Sequence, residues 1–436
     1  MITDLEIAFN NIRNKRTDLD LLFNYVNGPQ PLKYSTERLT DYFDNINAHF
    51  ELNWCSVVVE STLDRLQITG FDTKDESANE KMKLLFDKLH LDIEADKGHY
   101  ASLSTSQAYI IVWKEADGNI VAYYNDPRLC CVIYEDANPR NKRFAAKWFN
   151  LQDGKQEITL YYTDRIEHWQ SVKVQTGTGL DKASSFTMES AEANPFGVIP
   201  VFELKSPGEI FKVLTIQDAI NKLMADMMVS SDFATAPLRW YIGNADPGTV
   251  KNSPNLWAWF PAGDGQGQQA SVGQFDATGL SNYSVEMDNL ANRMFIITRT
   301  PKHYIMTVGA NVSGEALLAM EAPLVKKVQK RQKLFASQWQ DICAFMLQLD
   351  GVTVEPSNVS VIWDRVESVQ PLTEMQTLQA ATGAGIPLEA ALARAGWSKA
   401  EIDDIVKKKK EAQRLRLNSV RMPVPVDPNQ QQVTSL

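Results

Sequence analysis

Residues 213–233 carry more apolar surface than one neighbouring element can cover. Val213, Ile216, Ile220, Leu223 and Met227 form one helical stripe, and Leu214, Met224 and Met228 lie beside it. A helix of this kind must be buried on more than one side, and Pro237 ends it. The rest of the chain can supply cover. Its 436 residues, 44% of them apolar, suffice for roughly three domains and exclude a disordered or fibrous chain.

Thr3 and Glu6, in capping-box spacing, open an amphipathic helix with Leu5, Phe9 and Ile12 on one face, and Gly28 and Pro29 stop it. Residues 48–66 read as a helix buried on most sides, with Phe50, Trp54, Val57, Val58 and Ser61 on one face and Val59, Leu63 and Leu66 on another. From Gln107 the texture becomes β-rich: YIIVWKE, IVAYY, LCCVIYE, RFAAKWF, ITLYY and RIEHWQ, with Asp117-Gly118 and Asp153-Gly154 turns, predict an antiparallel meander of about six strands. Residues 176–193 read as a looser polar stretch before NPFGVIPVFEL.

After the 213–233 helix, 238–279 (RWYIG, NLWAWFPAGDGQGQ) predicts a small β excursion with exposed loops. Helix resumes over 281–299. A loop then leads into a long helical pattern from Ser313 to about residue 350, on the order of 55 Å long. In it Val328, Phe335, Ile342 and Leu349 fall seven apart, with Val325, Trp339 and Met346 between them, and Pro323 predicts a bend near 319–323. A strand-like VTVEPSNVSVIW and three short helices follow, at about 371–382, 387–395 and 399–417. Pro387 suits a first helical position, Gly396 a terminator, and Ser398 with Glu401 a capping box. The last residues, PVPVDPNQQQVTSL, lack the apolar content to order themselves.

The balance of 44 basic and 54 acidic residues gives a formal charge of −10, which opposes broad attraction to phosphate or anionic lipid. No apolar run approaches the ~20 residues of a membrane span, and Asp4 and Glu6 stand where a secretory signal would be basic, so a soluble protein made in a cytoplasm is expected. The four cysteines, Cys55, Cys130, Cys131 and Cys343, form no CxxC. Adjacent Cys130 and Cys131 leave a strand on opposite faces, so reduced, buried thiols are expected.

Little here points to catalysis. There is no GxxxxGK[ST], and Gly263, Gly265 and Gly267 lack a following helix, so they read as a flexible loop. His49, His90, His99, His168 and His303 show no ligand spacing, and no GxSxG occurs. Close carboxylates such as Glu60 with Asp64, or Asp403 with Asp404, fit solvated helix faces. No enzyme activity, cofactor or metal is expected. Two basic clusters stand out: Lys326, Lys327, Lys330, Arg331 and Lys333 on the polar side of the long helix, and Lys407 to Lys410 with Arg414, Arg416 and Arg421 ending the last one. The latter complements a helix dipole or touches nucleic acid. IPLEAALARAG and WSKAEIDDIVKK superficially resemble a helix-turn-helix, but Glu401, Asp403 and Asp404 would repel phosphate.

Six segments in order carry a resemblance: NWCSVVVESTLDRLQITGF (53–71), NDPRLCCVIYED (125–136), NPFGVIPVFEL (194–204), VLTIQDAINKLMADMMVSSDFATAPLRWYIG (213–243), SGEALLAMEAPLVKKVQKRQ (313–332) and GIPLEAALARAGWSKAEID (385–403). Together they resemble the portal proteins of tailed bacteriophages, of the siphophage type. SPGEI (206–210) departs from it, since similar portals usually have Ser immediately before the Glu.

The resemblance implies an α+β portal fold assembled as a dodecameric ring around a DNA tunnel. Its parts would be an α/β wing (1–210), a two-helix stem (211–236 and 281–300), a β-containing clip (237–280) and a tunnel loop (301–313). A long bent helix with a wing strand (314–365), a short helical crown (366–421) and a disordered tail (422–436) would complete it. Implied partners are further copies, the terminase large subunit, a head-tail connector, the major capsid and scaffolding proteins and, non-specifically, double-stranded DNA; no membrane is implied. The place would be the virion's capsid vertex, after assembly in the host cytoplasm. Tunnel-facing candidates are Lys302, His303, Tyr304, Glu286, Asp288, Arg293 and Arg299. Leu223, Met224, Met227 and Met228 are ring-interface candidates, in keeping with an over-greasy helix that neighbouring copies cover. Trp240, Tyr241, Trp257, Trp259 and Phe260 are either partner anchors or the clip's own core. A DNA-binding regulator using the C-terminal helices, or a carboxylate-dependent nuclease, are the rival functions.

Overall fold

Thr3 and Glu6 form both halves of their capping box: Thr3 N donates to Glu6 Oε2 at 2.9 Å, and Glu6 N donates to Thr3 Oγ1 at 3.3 Å. They start α1 (Asp4–Asn27). The computed structural model describes residues 3–30, 32–34, 37, 52–172, 183–235, 239–242, 257–260, 271–274, 276, 279–304, 313–367, 371–397 and 399–420. The chain divides into two compact units, Met1–Asp364 and Arg365–Leu436.

In the first unit, α1 is followed by α2 (Trp54–Leu63), β1 (Ile68–Asp72), α3 (Glu76–Leu89) and α4 (Leu91–Thr105). Of the expected 48–66 helix, residues up to 51 lie outside the described ones. The β-rich stretch forms β2 (Gln107–Lys114), β3 (Ile120–Asn125), β4 (Cys130–Tyr134), β5 (Lys142–Asn150), β6 (Gln156–Tyr161) and β7 (Arg165–Ser171). All six strands are present, but they are not one meander. β2 and β3 join β9 (Val201–Lys205) in a three-stranded sheet ordered β3-β2-β9, while β4 to β7 continue into β8 (Phe186–Ala193) as a five-stranded sheet. The break falls at Asp126-Pro127-Arg128. Proline has no amide hydrogen for a ladder, and Arg128 N folds back onto Asp126 Oδ1 at 2.8 Å. β8 corrects the reading of its segment as a loose stretch. It is an edge strand exposed from Thr187 to Ala193, so it carries no apolar alternation to announce it.

The five-stranded sheet is covered on both faces. Leu5, Phe9 and Ile12 of α1 pack on Cys131, Phe144, Trp148, Ile158 and Leu160, while Cys130, Val132 and Ala145 pack on Tyr109, Ile111 and Val201 of the smaller sheet. The adjacent cysteines thus enter two different cores, and burial pushes the Cys131 thiol up to about 11. Gly98 of α4 permits close approach to the small sheet, since a Cβ there would lie 2.7 Å from the end of Leu204.

The second half supplies α5 (Leu214–Thr235), β10 (Arg239–Ile242), β11 (Trp257–Phe260), β12 (Ser271–Gln274), α6 (Ser281–Thr298), α7 (Gly314–Leu349) and β13 (Ser360–Trp363). β11-β10-β12 form a separate sheet, and β13 pairs antiparallel with β1. α7 runs through Pro323 and buries its seven-residue series: Val328, Phe335 and Ile342 completely, Leu349 to 7% exposure. The second unit is a three-helix cluster of α8 (Pro371–Gly383), α9 (Leu388–Arg394) and α10 (Lys399–Val420) around Leu378, Ala391, Leu392 and Ile402. Pro387 is the residue before α9 rather than its first, and Gly396 follows it with φ +86°. Ser398, half of the expected capping box, and the tail 422–436 lie outside the described residues.

His99 of α4 ties this core to α7. Trp339 Nε1 donates to His99 Nε2 at 2.9 Å, and the imidazole lies 4.3 Å from the Phe335 ring. Complete burial holds its pKa down at about 3. The unfolded chain protonates His99 near pH 6.5 while the folded chain keeps it neutral, so stability falls as pH drops from about 6.5 toward 3. At pH 5 this one group should cost about 2 kcal/mol. Urea midpoints at pH 7, 6 and 5 should decline less steeply in His99→Gln, which keeps an acceptor for Trp339; parallel declines would contradict this.

Candidate functional site

Three helices of the first unit, α5, α6 and α7, are brought together at one buried carboxylate. The link from β9 into α5 is pinned to α4: Ser206 Oγ donates to Ser102 O at 3.1 Å, Gly208 N to Ser106 Oγ at 3.0 Å, and Glu209 N to Leu103 O at 2.8 Å. A Cβ on Gly208 would lie 2.1 Å from the Phe211 ring, so this position requires a bare backbone unless Phe211 moves. Glu209 is 7% exposed. Its Oε2 accepts from Lys327 Nζ at 3.2 Å, and its Oε1 from Arg331 Nε at 2.9 Å and Nη2 at 2.7 Å. Lys327 Nζ also donates at 2.8 Å to the carbonyl of Thr298, the last residue of α6. The clasp therefore joins the entry to α5, the exit from α6 and the first half of α7. Burial pulls the Lys327 ammonium below its ordinary value, and Glu209 opposes the fall. This corrects the reading of the α7 basic cluster as a polar face: Lys326, Lys330 and Lys333 are exposed, but Lys327 is buried and Arg331 half-buried.

The first turns of α5 form a polar socket. Gln217, Asp218 and Asn221 are almost wholly buried. Gln217 Nε2 donates to Leu52 O at 2.6 Å and to Asn221 Oδ1 at 3.0 Å; Asn221 Nδ2 donates to Gln30 Oε1 at 2.6 Å. Tyr25 OH donates to Asp218, which also pairs with Lys33 at 3.4 Å. Burial and this bond push the Tyr25 hydroxyl pKa up. The root of α5 is thus fixed by hydrogen bonds to the α1 and α2 regions, not by grease alone.

A second ionic cluster holds the segment after α6. Arg65 Nη2 bonds Glu321 Oε2 at 3.1 Å, His303 Nε2 lies 3.3 Å from Glu321 Oε1, and the Arg65 guanidinium lies 5.8 Å from the Tyr304 ring centre. His303 and Tyr304, sequence candidates for a tunnel lining, are half-buried in this cluster, whereas Lys302 is exposed. Residues 305–312 lie outside the described ones.

The remaining candidates sit farther along. Glu286, Asp288, Arg293 and Arg299 are all exposed on α6 or at its end. α6 buries Met287, Ala291, Met294, Phe295 and Thr298, leaving Val285 59%, Ile296 68% and Ile297 47% exposed. On α5, Leu223, Met224 and Met227 are half-buried and Met228 is 45% exposed. Ser230 and Tyr283 join the two helices by a hydroxyl pair at 2.9 Å. In the small sheet, register sets Tyr241 opposite Trp259 and Val272, Arg239 opposite Trp257, and Ile242 opposite Phe260. Trp240 lies across Gly273, where a Cβ would fall 2.3 Å from its ring. The site therefore has a rigid root, two helices with uncovered apolar side chains, and an aromatic-rich sheet between them in sequence.

A family model for phage portal proteins, SPP1 Gp6-like, matches residues 7–415. The chain belongs to this family. The portal protein of Mycobacterium phage D29 is 23% identical over 407 residues, spanning 85% of this chain and 81% of that protein. The portal protein of Mycobacterium phage L5 is 22% identical over 347 residues, spanning 69% and 68%. Portal proteins are structural components of the phage capsid vertex, and this chain is one of them. No helix among the described residues is long and apolar enough to cross a membrane.

Sequence reasoning missed Glu209, whose cationic partners lie 118 and 122 positions away. Nothing local in SPGEI distinguishes a clasp from a turn. Glu209→Gln should lower stability by about 3–5 kcal/mol, because Lys327 and Arg331 stay buried without their counter-charge. Lys81→Gln, at the half-exposed Lys81–Asp350 pair, should cost below about 1 kcal/mol. Chemical denaturation of both variants checks the contrast; equal losses would remove the clasp from the account.

Proposed function

We propose that copies of this chain close into a dodecameric ring at one capsid vertex and conduct double-stranded DNA into and out of the head. The observation that carries this reading is the apolar surface left open on α5 and α6 in a chain of the portal family. Met228, Val285, Ile296 and Ile297 are a liability on a solitary chain and an asset between identical neighbours. In this reading α5 and α6 are the stem (211–236 and 281–300), β10–β12 the clip (237–280), and residues 1–210 the wing. Residues 301–313 are the tunnel loop, 314–365 the long helix and wing strand, 366–421 the crown and 422–436 the tail.

DNA passes by non-specific contact with groups such as Lys302, Glu286, Asp288, Arg293 and Arg299. The chain's acidity keeps that contact weak, since a protein gripping 6–10 phosphates would hold DNA with roughly a thousandfold or greater salt sensitivity. The clip, with Trp240, Tyr241, Trp257, Trp259 and Phe260, receives the terminase large subunit during packaging and a head-tail connector afterwards. Major capsid and scaffolding proteins surround the wing, and assembly takes place in the host cytoplasm before the ring enters the virion. The separate motor supplies the energy, as the sequence offers no phosphate-binding loop.

Met227→Asp with Met228→Asp should release monomers while far-ultraviolet circular dichroism retains the β-rich signal. Light scattering that finds intact rings in the double variant would contradict the interface. The purified wild-type chain should leave ATP unhydrolysed; turnover at a motor's rate would contradict a passive conduit.

A further inference from the structure

The last described helix outruns the core that anchors it. Ile402, Ile405 and Val406 of α10 pack with Leu378, Ala391 and Leu392, and beyond Val406 every residue from 407 to 416 is exposed. This arm holds six basic side chains, Lys407 to Lys410, Arg414 and Arg416, against one acid, Glu411: a net of +5 in a chain whose total is −10. Glu411, Ala412, Gln413, Arg414, Leu415 and Arg416 are strong helix formers, so the arm holds its shape without packing.

Complementing the helix dipole does not account for the lysines. That effect fades within the last turn, and α10 continues to Val420, so Lys407–Lys410 lie about three turns upstream of its end. Among the four, Lys408 is paired with Asp404 at 2.6 Å. Lys407, Lys410 and Arg414, spaced i, i+3 and i+7, line one stripe of roughly 10 Å.

We propose that the exposed arm of α10, through the stripe Lys407, Lys410 and Arg414, binds the phosphate backbone of double-stranded DNA without reading its sequence. The choice of DNA rests on the portal reading; the cationic stripe does not. Residues 407–416 contain no aromatic side chain on which unpaired bases could stack, which argues against a single-stranded ligand. Glu401, Asp403 and Asp404 repel phosphate from the start of the helix, which confines the contact to the arm. Three phosphate contacts give a slope of about −2.7 in log affinity against log salt, or about 40-fold between 50 and 200 mM. One engaged arm thus stays below the roughly 6–10 phosphate contacts that would hold DNA in transit.

The test is fluorescence anisotropy of a random-sequence 30-base-pair duplex with the full chain at 50 and 200 mM salt, with assembly state measured on the same samples by light scattering. Lys407→Gln/Lys410→Gln/Arg414→Gln should weaken binding at least tenfold at 50 mM and flatten the salt slope by about 2.7 per engaged arm. Lys407→Arg/Lys410→Arg should restore binding where Gln did not. An equal charge change at the exposed Lys83, Lys205 and Lys212 should leave affinity within about twofold. Gln retains helix propensity, and unchanged circular dichroism separates lost contact from lost structure. Equal affinity and slope for the arm variant and the wild type would overturn the proposal. So would a wild-type chain that ignores the duplex but binds poly-glutamate, which would assign the arm to an acidic protein. A wild-type chain that stays monomeric yet loses DNA with the arm substitutions would support the arm and defeat the ring.

Discussion

A buried carboxylate is tolerated only where cations meet it, and Glu209 meets two of them at the point where the chain changes plan. Upstream lie α1 to α4 and the three- and five-stranded sheets; downstream lie α5, α6 and α7. Because Lys327 also holds the last carbonyl of α6, one cluster fixes where α5 begins, where α6 ends and which face α7 turns toward both. The polar socket of Gln217, Asp218 and Asn221 adds a second set of directional bonds to the same root. Apolar packing alone would permit α5 to slide or rotate, whereas buried hydrogen bonds have one satisfied geometry.

The same arrangement explains why apolar surface remains open farther along. α5 is gripped at its first turns, and α6 buries one face only. Met228, Ile296 and Ile297 then stay 45%, 68% and 47% exposed. In the proposed ring that surplus is the raw material of assembly. In that reading, stiffness at the root and adhesion along the shaft are separate jobs, done by different chemistry on the same helices.

What could be read from the sequence was whatever depends on local period. The capping box of α1, the seven-residue series of α7, the six β runs and the separate entry into two cores of Cys130 and Cys131 all follow from spacing. What could not be read depends on pairing across distance. The split of the strands into two sheets turns on β2 taking β9 as a neighbour, a choice made some 90 residues later. α3 was overlooked although Asp75 caps it and Ala78, Met82 and Leu85 share its buried face; α4 (LDIEADKGHYASLST) offered no such signal, being buried around small and polar residues such as Gly98, Ser102 and Ser104. The stripe on α5 was legible, yet its most buried positions include Gln217 and Asn221, because hydrogen-bond partners from residues 30 and 52 lie above them. Of the candidate site, the charges on α6 and Met228 on α5 are exposed, while the Glu209 clasp had no local signature.

An electron cryomicroscopy reconstruction of the wild-type chain at assembly concentrations tests the ring itself. Closed circular particles are expected, with α5 and α6 of neighbouring copies in contact and a central opening that admits duplex DNA. Single particles of one chain, with Met228, Val285, Ile296 and Ile297 tucked against its own surface, would contradict it.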